Sequence, residues 1–156
     1  KVIIKKIKYL ILFLFINFGG LAFGSWLMNN GPNTDWYLNL SKAPWTPPGW
    51  VFGVAWSSIM ILFSVYMTFL IQVNRSKKIV LLFSVQFVLN VIWNYFFFNQ
   101  HLVILGLLNI IALTLVMFYF LIAYKLYLKN RRFYVLPYCI WLLLATSLNL
   151  YIALYN

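Results

Sequence analysis

Five long apolar segments are the feature that most constrains this chain. A transmembrane helix needs about 20 apolar residues in succession, and each of the five segments is long enough to cross a bilayer. The connections between the second, third, fourth and fifth are short, which favours antiparallel packing of consecutive helices. The sequence therefore predicts an all-α membrane protein, a bundle of five transmembrane helices in which residues 1–156 form one domain. The predicted helices span residues 7–28, 50–73, 79–98, 102–128 and 133–155.

The composition indicates that lipid is the main solvent of this protein. Apolar residues make up 65% of the chain and charged residues only 8%, whereas soluble domains carry about 25% charged residues. The net charge of +11 does not indicate a nucleic-acid-binding protein, because most basic residues lie in short clusters that flank the apolar segments. We therefore expect the lipid bilayer, and no nucleic acid, among the partners.

The first apolar segment follows a basic start, a pattern that also occurs in secretory signal peptides. Its apolar run is longer than the roughly 7–15 residues of a signal peptide, and Ala22-Phe23-Gly24 is a weak cleavage site. We expect a retained transmembrane helix.

The distribution of basic residues predicts an orientation. With five crossings, the N-terminus lies on the same side as the second and fourth connections, and this side carries eleven of the twelve lysines and arginines. Only Lys42 lies on the other side. Because positive residues concentrate in cytoplasmic loops, we predict a cytoplasmic N-terminus, with the first loop (29–49) and the C-terminus outside.

The first loop is the one long connection and is rich in aromatic residues and prolines. Thr34 or Asp35 is a candidate cap for a short interfacial helix that carries Trp36 and Tyr37, and Thr46-Pro47 is typical of the start of a helix. A rigid aromatic loop of this kind is expected to act either as a lid over the bundle or as an anchor in the lipid headgroups.

Charged and metal-binding side chains are scarce within the apolar segments. Asp35, the only acid, lies in the loop, so a proton pump built on buried carboxylates is not expected. His101 is the only histidine and Cys139 the only cysteine. One of each is too few for a metal site, so we predict neither a metal nor a required cofactor.

Neutral polar residues form a stripe on the third segment. Gln86, Asn90 and Asn94 recur every four residues and so share one helix face beside Trp93. The fifth segment has a similar series, Trp141, Ala145 and Asn149, and the second contributes Trp56. Such a stripe is consistent with hydrogen bonds that join helices, worth about 0.6 kcal/mol each, or with the wall of a ligand cavity.

These blocks together resemble the signature of the translocator protein family, also called the peripheral-type benzodiazepine receptor family, whose bacterial members are tryptophan-rich sensory proteins. The resemblance covers nearly the whole chain. Its residues in the loop and second segment are Trp36-Tyr37, Lys42, Pro44-Trp45, Pro47-Pro48, Phe52 and Trp56. Those in the third and fifth segments are Gln86, Asn90, Trp93, Phe97-Phe98, Pro137-Tyr138, Trp141, Ala145 and Leu148-Asn149.

The resemblance implies a ligand pocket within the bundle under the first loop, in a protein of a bacterial cell membrane. Members bind porphyrins such as protoporphyrin IX and benzodiazepine-type ligands, so a tetrapyrrole or another hydrophobic small molecule is the expected ligand. The pocket residues implied by motif position are Tyr37, Pro47, Trp56, Gln86, Asn90, Trp93, Trp141, Ala145 and Leu148.

The chain departs from the family pattern at three places. Ala43 separates Lys42 from Pro44, and Asn109 stands where the family often has an acid. The family's cholesterol motif needs a basic residue after its tyrosine, and none follows Tyr151 or Tyr155, so cholesterol is not an expected ligand.

Three functions stay open at this stage. We favour binding and sensing of porphyrins. A porphyrin or lipid transporter is the second, although no inverted repeat is evident. The third is an enzyme that degrades porphyrin with light and oxygen, for which Trp56 and Trp141 are the candidate catalytic residues. Association into a homodimer is open as well.

Overall fold

The computed structural model describes residues 1–156, which form helices and loops and no strand. The predicted fold class is confirmed, because five helices are long and apolar enough to cross a membrane. In chain order the helices are α1 (Val2–Leu27), α2 (Asp35–Leu38), α3 (Gly49–Val73), α4 (Lys77–Asn94), α5 (Val103–Ala123), α6 (Lys125–Leu128) and α7 (Leu136–Tyr155). Short helical pieces complete the chain: 3-10 turns at Gly31–Asn33 and Lys129–Val135, and a π-helical turn at Tyr95–Asn99 that ends α4.

The start of α3 differs from the predicted one. Thr46 does not cap this helix, because its hydroxyl donates to the carbonyl of Ala43 at 2.7 Å. The helix begins at Gly49, and Pro48 is its N-cap residue. The physical reason is the Pro47-Pro48 pair, since a residue that precedes a proline is pushed out of the helical region. Pro47 therefore belongs to the loop.

The end of the fourth long helix also differs from the predicted one. The apolar pattern predicts a helix to Leu128, but α5 ends at Ala123 and the separate turn α6 follows. The chain reverses direction here, and Lys129 takes a positive φ of 52° to make the turn. The fifth predicted helix correspondingly starts later, at Leu136, after the 3-10 turn.

The five long helices form a closed ring. α1 packs against α3 and α4, and α5 packs against α4 and α7. The ring closes between α3 and α7, where α3 contacts mainly the 3-10 turn Lys129–Val135 and only a small part of α7 itself. Side chains rather than close backbone packing therefore fill the rest of the space between α3 and α7.

The main core lies where α3, α5 and α7 meet. Phe63, Tyr66 and Phe120 are fully buried and pack ring against ring at 5.9–6.1 Å. The hydroxyl of Tyr66 donates to the carbonyl of Phe120, so this buried phenol is satisfied. Such packing matters in a bilayer, because lipid gives helices no hydrophobic reason to associate.

Two glycines let α1 approach α4 closely. A Cβ on Gly20 would lie 2.8 Å from the ring of Phe87, and one on Gly24 would lie 2.5 Å from the amide nitrogen of Asn94. Small residues of this kind mark tight helix contacts in membranes. The face of α1 that carries Gly20 and Gly24 is therefore a packing surface.

The two ends of the bundle differ in charge. The basic end holds the start of α1, the connection between α3 and α4, and residues 124–135, with eleven of the twelve cations. The loop end holds residues 28–48, the turn between α4 and α5, and the end of α7, with Lys42 as its one cation.

Candidate functional site

An aromatic cluster fills the space where α3 and α7 are loosely packed. The rings of Trp56 and Trp141 lie 6.5 Å apart at an angle of 79°. Phe52 meets Trp141 at 5.3 Å and 83°, and Tyr138 meets Trp56 at 5.8 Å and 82°. Edge-to-face contacts of this kind are worth about 0.5–1.5 kcal/mol per pair beyond area burial. We call Phe52, Trp56, Tyr138 and Trp141 the indole cluster.

The indole nitrogen of Trp141 has no hydrogen-bond partner. It is buried and is the one buried side-chain nitrogen or oxygen atom in the chain that is unpaired. A buried donor left unpaired typically costs about 1–3 kcal/mol, so such groups are rare in folded proteins. This N–H is therefore available to an acceptor that enters the indole cluster.

The amide stripe of α4 is joined to α7 through Tyr138. The phenol of Tyr138 donates to the side-chain oxygen of Gln86 at 3.0 Å and accepts a hydrogen bond from the amide of Asn90. Tyr138 is fully buried and Gln86 is 1% exposed. Gln86 and Asn90 thus join α4 to α7. They contact the indole cluster through the hydroxyl of Tyr138.

Trp93 is joined to α7 in a similar way. Its indole N–H donates to the side-chain oxygen of Asn149 at 3.0 Å, and the Asn149 amide donates to the carbonyl of Val103 at 3.1 Å. The Trp93 ring stacks on Phe97 at 4.9 Å. Asn94, the third amide of the stripe, donates to backbone carbonyls of its own helix.

Tyr37 lies in a second aromatic group, apart from the indole cluster. Its ring meets Phe97 at 6.4 Å and Phe98 at 5.3 Å. The ammonium of Lys42 lies 4.6 Å from the centre of the Tyr37 ring and also donates to two loop carbonyls at 3.3 and 3.4 Å. Burial raises the pKa of the Tyr37 phenol above its usual value.

The first loop is fastened to the loop end of the bundle. The side chain of Thr34 accepts a hydrogen bond from the backbone N–H of Tyr37. Of the two predicted caps of α2, Thr34 is therefore the one observed, and Asp35 is not. The Trp36 ring stacks on His101 at 4.0 Å and 7°.

Two further ties join the loop to α7. The indole of Trp45 donates to the hydroxyl of Ser147 at 3.0 Å. The side chain of Asn156 makes two hydrogen bonds with the backbone of Ser41, at 2.8 and 2.9 Å. The loop is thus a cover held by side chains on both sides of the bundle.

The nine predicted pocket residues therefore fall into separate groups. Trp56 and Trp141 meet directly, and half-buried Ala145 packs against the main core. The remaining predicted residues lie elsewhere. Gln86 and Asn90 reach the cluster through Tyr138, Trp93 and Tyr37 are linked through Phe97, and Pro47 and Leu148 are half-buried without a specific polar contact.

Sequence reasoning did not select Tyr138 as a site residue, although it is the hub of this arrangement. A usable signal was present, since Tyr138 lies three residues before Trp141 and so shares the helix face of Trp141, Ala145 and Asn149. The Trp36–His101 stack had no comparable signal, because it joins α2 to the turn between α4 and α5, far away in the sequence.

Comparison with known proteins identifies the family. The sequence profile of the TspO/MBR family matches residues 11–155. The chain belongs to the TspO/MBR family. The resemblance inferred from the loop and helix motifs is thereby confirmed.

Similar proteins occur in archaea and bacteria. The tryptophan-rich protein TspO of Archaeoglobus fulgidus is 30% identical over 156 residues, covering 99% of this chain and 98% of that protein. The tryptophan-rich sensory protein of Cereibacter sphaeroides is 33% identical over 120 residues, covering 74% of this chain and 73% of its own length. The protein CrtK of Rhodobacter capsulatus is 32% identical over 120 residues, covering 73% of this chain and 74% of its own length.

Membership of the TspO/MBR family and the five apolar helices make this chain an integral membrane protein.

Proposed function

We propose that this chain is a membrane-embedded binding and sensing protein for porphyrins and related aromatic ligands, held at the indole cluster beneath the first loop. The observation that carries the proposal is the buried, unpaired N–H of Trp141 among three other aromatic side chains. An aromatic ligand with an acceptor atom would satisfy this donor and gain ring contacts at the same place.

The geometry limits how a flat ligand would lie. Because the rings of Trp56 and Trp141 are nearly perpendicular, a porphyrin would lie on the face of one indole and meet the edge of the other. A sandwich between two parallel indoles would require one of them to rotate.

The charges limit where the edge of a porphyrin would lie. At the loop end its carboxylates would pair with Lys42, the only cation there. A pocket that opened toward the basic end would meet more cations but would lack the aromatic residues of the loop. The relative from Cereibacter sphaeroides is named a sensory protein, which supports a sensing role.

Dark titration of the purified protein with protoporphyrin IX tests the binding proposal. We expect saturable binding with quenching of tryptophan fluorescence, since the ligand would contact indoles. Binding that rises linearly with pigment, as in empty detergent micelles or lipid discs, would contradict it.

Light-dependent degradation of the bound pigment is a second candidate, and the contact between Trp56, Tyr138 and Trp141 favours it. These side chains are oxidisable and contiguous, so an indole could lend one electron to the excited porphyrin and later regain it. In the net reaction molecular oxygen would oxidise the pigment and would itself be reduced. Illumination of the complex in air and under argon separates the two candidates. A stable spectrum in air supports binding alone, whereas oxygen-dependent bleaching that Trp56→Phe and Trp141→Phe slow supports degradation.

We further propose that the basic end faces the cytoplasm and the loop end faces outward, in a bacterial cell membrane. The charge difference of eleven cations against one supports this orientation.

A further inference from the structure

A groove of about 600 Å³ lies between α1 and α4 toward the basic end, and none of its lining residues belongs to the indole cluster. This volume falls in the range of about 300–1,000 Å³ that is usual for small-molecule sites. The lining is almost wholly apolar and includes Leu12 and Ile16 of α1, Met67 and Ile71 of α3, and Val80 and Phe83 of α4.

The groove is open toward the membrane. Leu12 is 47% and Val80 56% exposed, so side chains on both walls are within reach of lipid. Met67 and Ile71 form a buried floor. A hydrocarbon chain could enter from the side without crossing a polar barrier.

The one cation that lines the groove is Arg75, in the short connection between α3 and α4. Its guanidinium lies 5.3 Å from the centre of the Tyr9 ring, is exposed, and has no carboxylate partner. Lys77 and Lys78 follow within three residues, and the only acid of the chain, Asp35, is in the loop at the other end. The mouth of the groove is therefore positive and uncompensated.

We propose that this groove holds an acyl chain of an anionic phospholipid whose phosphate pairs with Arg75. The apolar groove matches the acyl chain of such a lipid, and the basic mouth matches its negatively charged phosphate. Because lipid tails are as apolar as the groove, the charge of the headgroup should decide which lipid is retained. The attraction between one basic residue and an anionic lipid surface is worth roughly 1 kcal/mol.

A second copy of this chain is a poorer occupant. A two-fold symmetric interface brings the same patch of both subunits together, so the positive mouths of both grooves would lie in one interface. No acid at the basic end could compensate the repulsion, since the chain has none there.

Lipid retention by purified variants tests this proposal. The protein is reconstituted in an equimolar mixture of phosphatidylglycerol and phosphatidylcholine, extracted mildly, and the bound lipid is counted by native mass spectrometry. We expect wild-type protein to retain phosphatidylglycerol selectively. Arg75→Gln should reduce that selectivity about fivefold, the factor that corresponds to roughly 1 kcal/mol.

Matched variants keep the result interpretable. Arg132→Gln removes the same charge at the same end but outside the groove, and should behave as wild type. Val80→Trp fills the groove and should lower retention of both lipids, whereas Val54→Trp, at a similarly exposed position of α3 (58%), should not. Thermal unfolding of each variant checks that it is folded.

Two outcomes would overturn the proposal. Equal losses for Arg75→Gln and Arg132→Gln would mean that the overall charge of the basic end retains the lipid. Unchanged lipid together with dissociation of dimers in Val80→Trp would mean that the groove is an interface between two copies.

Discussion

The phenol of Tyr138 on α7 donates a 3.0 Å hydrogen bond to the amide oxygen of Gln86 on α4, and Asn90 on the next turn of α4 donates to the same phenol. One tyrosine thus joins two helices that have little backbone contact. The same ring also makes an edge-to-face contact with the ring of Trp56. The polar stripe and the indole cluster are therefore coupled through a single side chain.

Removal of this phenol should destabilise the bundle. Tyr138→Phe keeps the ring but removes the hydrogen-bond partner of the buried Gln86 amide and of the half-buried Asn90 amide, so we expect a loss of about 1–2 kcal/mol. Thermal unfolding in detergent measures the change. Tyr155→Phe, which removes a hydroxyl from an exposed residue at the end of α7, is the control and should leave the midpoint unchanged. Equal midpoints for both variants would show that the Tyr138 hydrogen bonds contribute nothing.

The proposed orientation predicts opposite labelling of two single-cysteine variants. Asn33→Cys lies in the loop and Lys77→Cys at the basic end, so a membrane-impermeant thiol reagent should label Asn33→Cys in intact cells and Lys77→Cys only after lysis. The native Cys139 is fully buried and should contribute little background. Labelling of both variants in intact cells would contradict the orientation.

The cation of the loop should select for carboxylated ligands. Lys42→Ala should weaken binding of protoporphyrin IX and spare neutral aromatic ligands, and its effect should shrink at high salt, where charges more than a few Å apart are screened. Equilibrium titration with both ligand types at two salt concentrations measures this. Lys125→Ala at the basic end is the control. Equal weakening of the neutral ligand would mean that Lys42 acts by holding Tyr37 and the loop carbonyls rather than by its charge.

The ties between loop and α7 should limit opening of the cover. Ser147→Ala removes the acceptor of the Trp45 indole, and a typical hydrogen bond contributes about 0.5–1.5 kcal/mol. Amide hydrogen exchange in residues 39–46 should therefore rise about twofold to tenfold. Thr146→Ala, one residue away but bonded to Thr114 within the bundle, is the control. No change in loop exchange for Ser147→Ala would show that the other ties suffice.

The fold could be predicted largely because a bilayer sets the length of each helix. Five apolar segments and their charged flanks carry that information directly. Helix ends were less predictable, since Pro47-Pro48 excludes Thr46 as a cap and the reversal at Lys129 shortens α5.

The site could be predicted only in part. A period of four residues shows that Gln86 and Asn90 share a face, but it does not show which side chain of another helix meets them. That partner is Tyr138, whose hydroxyl makes a hydrogen bond with each of the two amide side chains. Likewise, the unpaired N–H of Trp141 depends on what surrounds it in space, and no sequence pattern encodes it.

The central claim is that the Trp141 indole N–H belongs to a ligand site, and one comparison tests it most directly. Dark titration with protoporphyrin IX is carried out on wild type, on Trp141→Phe and on Trp26→Phe, the last at an exposed position of α1 (74%). Trp141→Phe removes an unpaired donor, and this gain should offset much of the packing lost with the smaller ring, so we expect little change in thermal stability. Porphyrin binding should be about threefold to tenfold weaker. Trp26→Phe should bind as wild type. Unaltered porphyrin affinity in Trp141→Phe would contradict the account and make this indole a packing residue.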